Sequence, residues 1–129
     1  GHILLYDNNG FTDGSRTLRS RLLEIDPATG AIAWSFDGRP NYGFFSSFHG
    51  GQQRLPGGNI LAFESGEGNR VIELTPAGEI VWTYTVNPEN FRENSVNMAL
   101  RVPYDFFTPA FCEPIGCDAE KAKAAASKR

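Results

Sequence analysis

The 129-residue sequence has few side chains of the kinds that build metal centres or disulfide frameworks, with two cysteines, two histidines and one methionine. It also has no basic excess, because 12 Lys and Arg face 15 Asp and Glu. Since binding to a phosphate backbone needs a basic surface, this balance argues against a nucleic-acid partner. The sequence contains no run of 18 apolar residues and predicts no membrane span. Its first residues lack the charged and apolar regions of a secretion signal.

Apolar and aromatic side chains, in contrast, are plentiful. Hydrophobic residues make up 40% of the chain, including ten Phe, four Tyr and two Trp. This fraction is well above that of chains which stay disordered. We therefore expect a packed core in a single domain.

An internal repeat organises the chain. Residues 21–34 read RLLEIDPATGAIAW and residues 70–82 read RVIELTPAGEIVW, so the copies differ in length by one turn residue. They lie about 48 to 49 residues apart, near the period of a four-stranded propeller blade. An apolar run that ends in an acid precedes each copy, at residues 3–7 and 60–64. Short β-branched and aromatic runs separated by Pro-Ala-Thr-Gly or Pro-Ala-Gly predict antiparallel hairpins.

The repeat predicts an all-β fold of β-propeller type, with about two four-stranded antiparallel blades. We assign repeat A to about residues 1–40, repeat B to about 44–86 and the start of a further blade to about 95–102, within a propeller region of residues 1–109. Residues 110–129 are expected to form a tail with a small cysteine loop and a short helix or frayed end. Aligned on the second copy, the chain begins inside a hairpin turn. We therefore expect its partners to be the remaining blades or a companion chain.

The ordered set of these segments resembles the C-terminal half of bacterial arylsulfotransferases. The matching segments are Ile3-Leu-Leu-Tyr-Asp7-Asn8, Ser20-Arg21-Leu-Leu-Glu24, Trp34, Phe44-Phe45-Ser46-Ser47, Gln53-Arg54-Leu55-Pro56, Gly58-Asn59-Ile60-Leu61 and Glu73-Leu-Thr-Pro76-Ala-Gly78-Glu-Ile-Val-Trp82. The resemblance implies a six-bladed propeller in the periplasm or outside the cell. It also implies transfer of a sulfuryl group from a phenol sulfate to another phenol through a sulfated histidine.

The same resemblance indicates which residues belong to the site. In that family the nucleophilic histidine lies on the strand before the one matched by residues 3–7, which places the nucleophile outside this chain. The loop containing Ser47 and His49 corresponds to a family loop that reaches the active site, where a hydroxyl residue stands near the position of His49. We therefore take His49 as the candidate catalytic side chain, lining the cavity, and Asn8, Ser47 and Phe45 as substrate-binding candidates. The alternative for His49 is a loop histidine bonded to the backbone, and His2 is expected to be a turn residue.

Two arginines are candidates for binding the sulfate. Arg54 and Arg21 qualify because the planar guanidinium binds two oxygens at once. Arg21 and Arg70, however, are equivalent in the repeat. This equivalence favours a repeated structural role, such as pairing with Glu24 or Glu73 or bonding carbonyls of a neighbouring blade.

Two further features concern metals and disulfides. Asp7, Asn9 and Asp13 form an oxygen-rich stretch that suggests Ca²⁺, although it lacks the spacing of an EF-hand and such loops usually bond their own backbone. No other cofactor or metal site is expected. Cys112 and Cys117 stand five residues apart and predict a small disulfide loop.

The aromatic residues leave two function classes open. Trp34 and Trp82 are expected in the blade core. The stretch containing Tyr42, Phe44, Phe45 and Phe48 fits either a wall that stacks on a phenol or packing between blades. The alternative to an enzyme is a non-catalytic propeller that serves as a binding or scaffold module at the cell surface or in an extracellular assembly.

Overall fold

The described residues form two antiparallel β-sheets and one short helix. The computed structural model describes residues 1–8, 19–66, 68–86, 96–103 and 105–115. Sheet A consists, in this order, of β1 (Ile3–Asp7), β2 (Arg21–Ile25) and β3 (Ile32–Phe36). Sheet B consists, in this order, of β4 (Gly50–Arg54), β5 (Ile60–Glu64), β6 (Arg70–Leu74) and β7 (Ile80–Thr85), and α1 spans Pro109–Ile115. The predicted all-β class is confirmed, whereas among the described residues only sheet B has the four strands expected of each repeat, and sheet A has three.

The two sheets repeat one pairing scheme. β1 pairs with β2 so that Asp7 lies opposite Arg21, and β5 pairs with β6 so that Glu64 lies opposite Arg70. The next pairings, β2 with β3 and β6 with β7, both shift register at the glutamate that opposes the repeated tryptophan. Such a shift is a β-bulge, which increases strand twist locally. Because the register and the bulge recur in both sheets, β1, β2 and β3 are the counterparts of β5, β6 and β7.

Two glycines close the equivalent hairpin turns. Gly30, after β2, has φ of 72° and Gly78, after β6, has φ of 84°. L side chains rarely adopt this region, so glycine is the residue these turns need. The longer turn is also held by Asp26, whose carboxylate accepts the N–H of Ala28 at 2.9 Å and the hydroxyl of Thr29 at 3.0 Å. The bond from Ala28, followed by that from Thr29, holds the pKa of Asp26 below its usual range.

The main core lies between the two sheets. Its buried side chains come from both sheets and from the loop before β4: Leu22, Phe36, Phe44, Ile60, Ala62, Ile72 and Leu74. Burying one such side chain contributes about 1.5–3 kcal/mol, so this core is the chief stabilising contact between the sheets. A smaller core occupies the other side of sheet B, where Leu55, Leu61, Phe63 and Val71 are buried and Val96 and Ala99 pack on them.

Several elements differ from the expectations. Repeat B was assigned from about residue 44, but its first strand begins only at Gly50, because the preceding residues bond other elements as a loop. Trp82 is 38% exposed instead of lying in a core, because the described residues place no third sheet over it. Cys112 is buried in α1, whereas Cys117 lies outside the described residues, so the disulfide stays a prediction. In the part of the chain that is described, no helix is long and apolar enough to span a membrane.

Candidate functional site

A buried hydrogen-bond network supports residues 44–49, hereafter the 44–49 loop. Ser46 is 1% exposed, and its N–H donates to the hydroxyl of Ser20 at 2.9 Å. The hydroxyl of Ser20 in turn reaches the carbonyl of Ser46 at 3.1 Å. The hydroxyl of Ser46 lies 2.9 Å from the carbonyl of Ser65 and also contacts that of His49. The loop is thereby attached to the start of β2 and to the end of β5.

The structure brings Asn8 to this loop from the end of β1. Its side-chain Nδ2 donates to the carbonyl of Ser46 at 2.8 Å and to that of His49 at 3.3 Å. The imidazole of His49 is exposed and stands edge to face with the ring of Phe48, with 5.8 Å between ring centroids. Phe48 is 77% exposed. Ser47, the adjacent substrate-binding candidate, is half-buried.

A carboxylate beneath the loop is fully buried. Glu64 has 0% exposure and accepts the N–H of Phe45 at 2.7 Å and the hydroxyl of Tyr42 at 3.1 Å. Arg70 completes the cluster, donating to Glu64 through Nε at 2.9 Å and through Nη2 at 3.0 Å. The Nη2 group also donates to the carbonyl of Gly43 at 2.6 Å. Phe45 thus positions the loop through its backbone, and the residue is half-buried.

Arg70 also stacks on an aromatic ring. Its guanidinium carbon lies 4.3 Å from the ring centroid of Tyr42, within the range of a cation–π contact. Burial, followed by the nearby charge of Glu64, raises the pKa of the Tyr42 hydroxyl above its ordinary value. Tyr42 therefore stays neutral over the physiological pH range and acts as a hydrogen-bond donor.

The arginines that repeat in sequence pair across the strands. Arg21 donates through Nε to Asp7, directly opposite it on β1, at 3.0 Å. Arg70 makes the equivalent bonds to the buried carboxylate described above. The expected partners Glu24 and Glu73 were wrong, because residues three apart on a strand point to opposite faces of the sheet.

Arg54 lies far from the imidazole. It stands at the opposite end of β4 from His49, so the 5 residues of that strand separate the two Cα atoms by about 17 Å. Its guanidinium forms an ion pair with Glu24 and donates to the carbonyl of Gly58 at 3.1 Å. His2 also approaches Glu24, with its Nδ1 3.5 Å from the carboxylate. This geometry favours a structural role for Arg54.

A second ion pair of the same kind was missed by the sequence reasoning. Arg101 lies 2.9 Å from the carboxylate of Glu73, which is the counterpart of Glu24 in the repeat. A signal was present, because Arg54-Leu-Pro56 recurs as Arg101-Val-Pro103. Residues 96–103, hereafter the 96–103 segment, thus sit on sheet B as β4 sits on sheet A.

The two glycines after His49 have a packing role. A Cβ added at Gly50 would lie 2.5 Å from the ring of Tyr6, and one at Gly51 would lie 2.5 Å from the ring of Phe63. Both distances are far below normal contact. Glycine here allows aromatic rings to pack on β4, and the close approach involves protein side chains.

The structure describes only Asp7 of the three residues proposed to bind Ca²⁺. Asn9 and Asp13 lie outside the described residues, and Asp7 is engaged by Arg21. Among the residues that the structure describes, no group of three or more His, Cys, Asp or Glu is placed to hold a metal ion.

Comparisons with family models, curated proteins and solved structures find no match to this chain. The class of the protein is therefore defined by its own architecture, an all-β protein of repeated antiparallel sheets. The 44–49 loop, where an exposed imidazole and an exposed aromatic ring stand on a buried hydrogen-bond network, is its candidate functional site.

Proposed function

We propose that this chain forms two adjacent blades and the opening of a third in a β-propeller of arylsulfotransferase type. The repeated strand register, the repeated bulge and the repeated Arg–Glu ion pair support a series of equivalent blades. In this proposal the nucleophilic histidine lies outside the chain, and the 44–49 loop lines the cavity in which a sulfuryl group passes between phenols. An enzyme of this type acts in the periplasm or outside the cell.

The exposed pair of Phe48 and His49 carries the proposal. A phenol ring can pack on the ring of Phe48, since aromatic pairs gain about 0.5–1.5 kcal/mol beyond the area they bury. The imidazole of His49 can donate an N–H to a sulfonyl oxygen or a proton to the departing phenolate. Both roles require a loop that is held rigidly in place. The hydrogen bonds of Asn8 and of the buried Ser46 hold it.

A binding or scaffold propeller without catalysis is the second candidate. It is favoured by the ion pairs that the two arginines proposed to bind the sulfate already form. Arg21 is engaged by Asp7 and Arg54 by Glu24, so either guanidinium would have to leave a carboxylate before it could hold a sulfate.

The proposal is tested by titrating the chain with an aryl sulfate and following both histidines by NMR. We expect the imidazole signal of His49 to shift and that of His2 to stay in place. His49→Ala and Phe48→Ala should each weaken binding about three- to tenfold, the range that one aromatic or hydrogen-bonding contact supplies. His2→Ala is the matched control, because it removes the other exposed imidazole.

Activity is measured in the same samples with a phenol as acceptor. We expect no sulfuryl transfer by this chain alone, because the nucleophile lies elsewhere. Stable turnover would contradict the assignment of the nucleophile. Binding that ignores both His49→Ala and Phe48→Ala, or that inorganic sulfate matches in strength, would exclude the 44–49 loop as a phenol sulfate site and favour the second candidate.

A further inference from the structure

The buried carboxylate of Glu64 joins the ion pair of sheet B to the backbone of the 44–49 loop. Its Oε1 accepts the N–H of Phe45 at 2.7 Å and an N–H from Nη2 of Arg70 at 3.0 Å. Its Oε2 accepts the N–H of Nε of Arg70 at 2.9 Å and the hydroxyl of Tyr42 at 3.1 Å. A carboxylate offers about four acceptor positions and no donor, so these bonds use its full capacity.

The turn between β5 and β6 closes over this carboxylate. A Cβ added at Gly68 would lie 2.6 Å from the Cβ of Glu64 and 2.8 Å from its Oε1, so the backbone of the turn packs directly on the side chain. Glu64 is 0% exposed, and a buried carboxylate that loses a donor has no bulk water to replace it. The N–H of Phe45 and the carboxylate therefore hold each other in place.

The ion pair and the bond to the loop make different demands on the side chain. At the equivalent position of sheet A, Asp7 accepts Nε of Arg21 at 3.0 Å, so an aspartate suffices for the ion pair across the strands. Glutamate is longer by one C–C bond of about 1.5 Å. In sheet B this added length brings the carboxylate to the N–H of Phe45, which a shorter side chain would leave outside hydrogen-bond range.

The same cluster fixes the backbone on both sides of Phe44. Arg70 donates to the carbonyl of Gly43 at 2.6 Å, and Glu64 accepts the N–H of Phe45. The Phe44 side chain between them is 1% exposed in the main core. Hydrogen bonds to an ionised group are roughly twice as strong as those between neutral groups. The beginning of the 44–49 loop is therefore its most firmly held part.

A short connection leads from this point to the imidazole. Phe45 is followed directly by Ser46, whose hydroxyl contacts the carbonyl of His49. A displacement of Phe45 is thus passed on to His49 through one residue and one hydrogen bond. Phe48, which is 77% exposed, lies between these anchored residues and moves with them.

We propose that Glu64 is the positioning residue of the aryl sulfate site. It acts through the N–H of Phe45, touches no substrate, and sets where the ring of Phe48 and the imidazole of His49 stand. This inference rests on the proposed function, because the binding of an aryl sulfate is what the positioning serves.

The test uses two variants of Glu64 and one matched control. Glu64→Asp keeps the charge and the ion pair but shortens the side chain, and Glu64→Gln keeps the length but replaces one acceptor oxygen by a donor. Glu73→Asp is the control, because Glu73 is 3% exposed in the same sheet and loses the same methylene. Its carboxylate lies 2.9 Å from Arg101, outside the 44–49 loop. Circular dichroism checks the fold of all three variants.

Two quantities are measured by NMR: the hydrogen exchange of the Phe45 amide, and the affinity for phenyl sulfate read from the His49 signal. In the unchanged chain, the amide of Phe45 should exchange as slowly as those of β5. Glu64→Asp and Glu64→Gln should speed its exchange about tenfold or more and weaken binding about three- to tenfold, the range of one lost hydrogen bond. Glu73→Asp should change neither quantity.

Three outcomes would overturn the positioning role. They are fast exchange of the Phe45 amide in the unchanged chain, which needs no variant to fold, binding that Glu64→Asp leaves intact, and equal losses of affinity in Glu64→Asp and Glu73→Asp. In each case the unchanged chain still binds phenyl sulfate and the proposed function stands. An unchanged chain that binds no phenyl sulfate would instead reject the proposed function, and the positioning role with it.

Discussion

The buried carboxylate beneath the 44–49 loop allows a test of how burial sets the strength of an ion pair. Arg70 pairs with Glu64, which is 0% exposed, and the repeat places the pair of Arg21 and Asp7 at the equivalent position of sheet A. Both side chains of the second pair are 21% exposed. We consider Arg70→Met and Arg21→Met, since each substitution removes the cation and keeps most of the apolar stem.

The two substitutions should differ in cost. Arg70→Met removes the cation from a carboxyl group that is cut off from water, a change that costs about 3–5 kcal/mol. Arg21→Met leaves Asp7 partly hydrated, so its cost should fall to about 1–2 kcal/mol. For a chain of this size about 4 °C of melting temperature corresponds to 1 kcal/mol. The expected losses are therefore about 12–20 °C for Arg70→Met and about 4–8 °C for Arg21→Met.

The free energy of unfolding is measured by urea titration followed by circular dichroism. Both substitutions are measured at the same low protein concentration, so that any association contributes equally to the two stabilities. The slope of the unfolding free energy against urea concentration should be the same in both variants. Equal slopes would show that both variants expose the same amount of surface on unfolding. Equal losses at the two positions would refute the reasoning, because they would show that burial of Glu64 does not decide the cost.

Two further predictions concern packing and pH. Gly50→Ala should destabilise the fold by about 1–3 kcal/mol in urea titrations because its Cβ would overlap the ring of Tyr6. Gly57→Ala, which meets nothing within 4 Å, should change stability far less, and equal effects would exclude the overlap as the cause. Burial raises the pKa values of Tyr6 and Tyr42, so the unfolded chain loses their protons first and stability should fall as the pH rises above about 10. Tyr42→Phe should reduce that slope by about 1.4 kcal/mol per pH unit, and an unchanged slope would show that Tyr42 does not titrate in this way.

Much of the fold could be predicted from the repeat. The two copies of Arg-x-x-Glu followed by a Pro-Ala turn and tryptophan indicated equivalent hairpins, and the structure gives them equal register. The local pattern could not show where β4 begins. The Phe44 to His49 stretch has apolar and aromatic residues typical of a strand, yet its polar backbone groups bond to Ser20 and Glu64. Such long-range bonds have no local sequence signal.

The candidate site was predicted less completely. The structure brings Asn8 and His49 together through backbone carbonyls of the loop. It separates Arg54 from them, because proximity along a strand is not proximity in space. The buried Glu64 was not selected from the sequence, since burial of a carboxylate depends on its neighbours in the fold. Its place opposite a repeated arginine was the available signal.

Burial in this chain depends on the position of a residue in the series of sheets more than on residue type. A tryptophan at one repeat position donates to a turn carbonyl of the next sheet, whereas Trp82 at the equivalent position is 38% exposed. Ile60 and Ile3 differ in the same way, with exposures of 1% and 54%. Exposed apolar side chains that form contiguous patches mark interaction surfaces. Because the inner interface already shows how these side chains pack, the exposed copies indicate surfaces suited to the same packing with a further sheet.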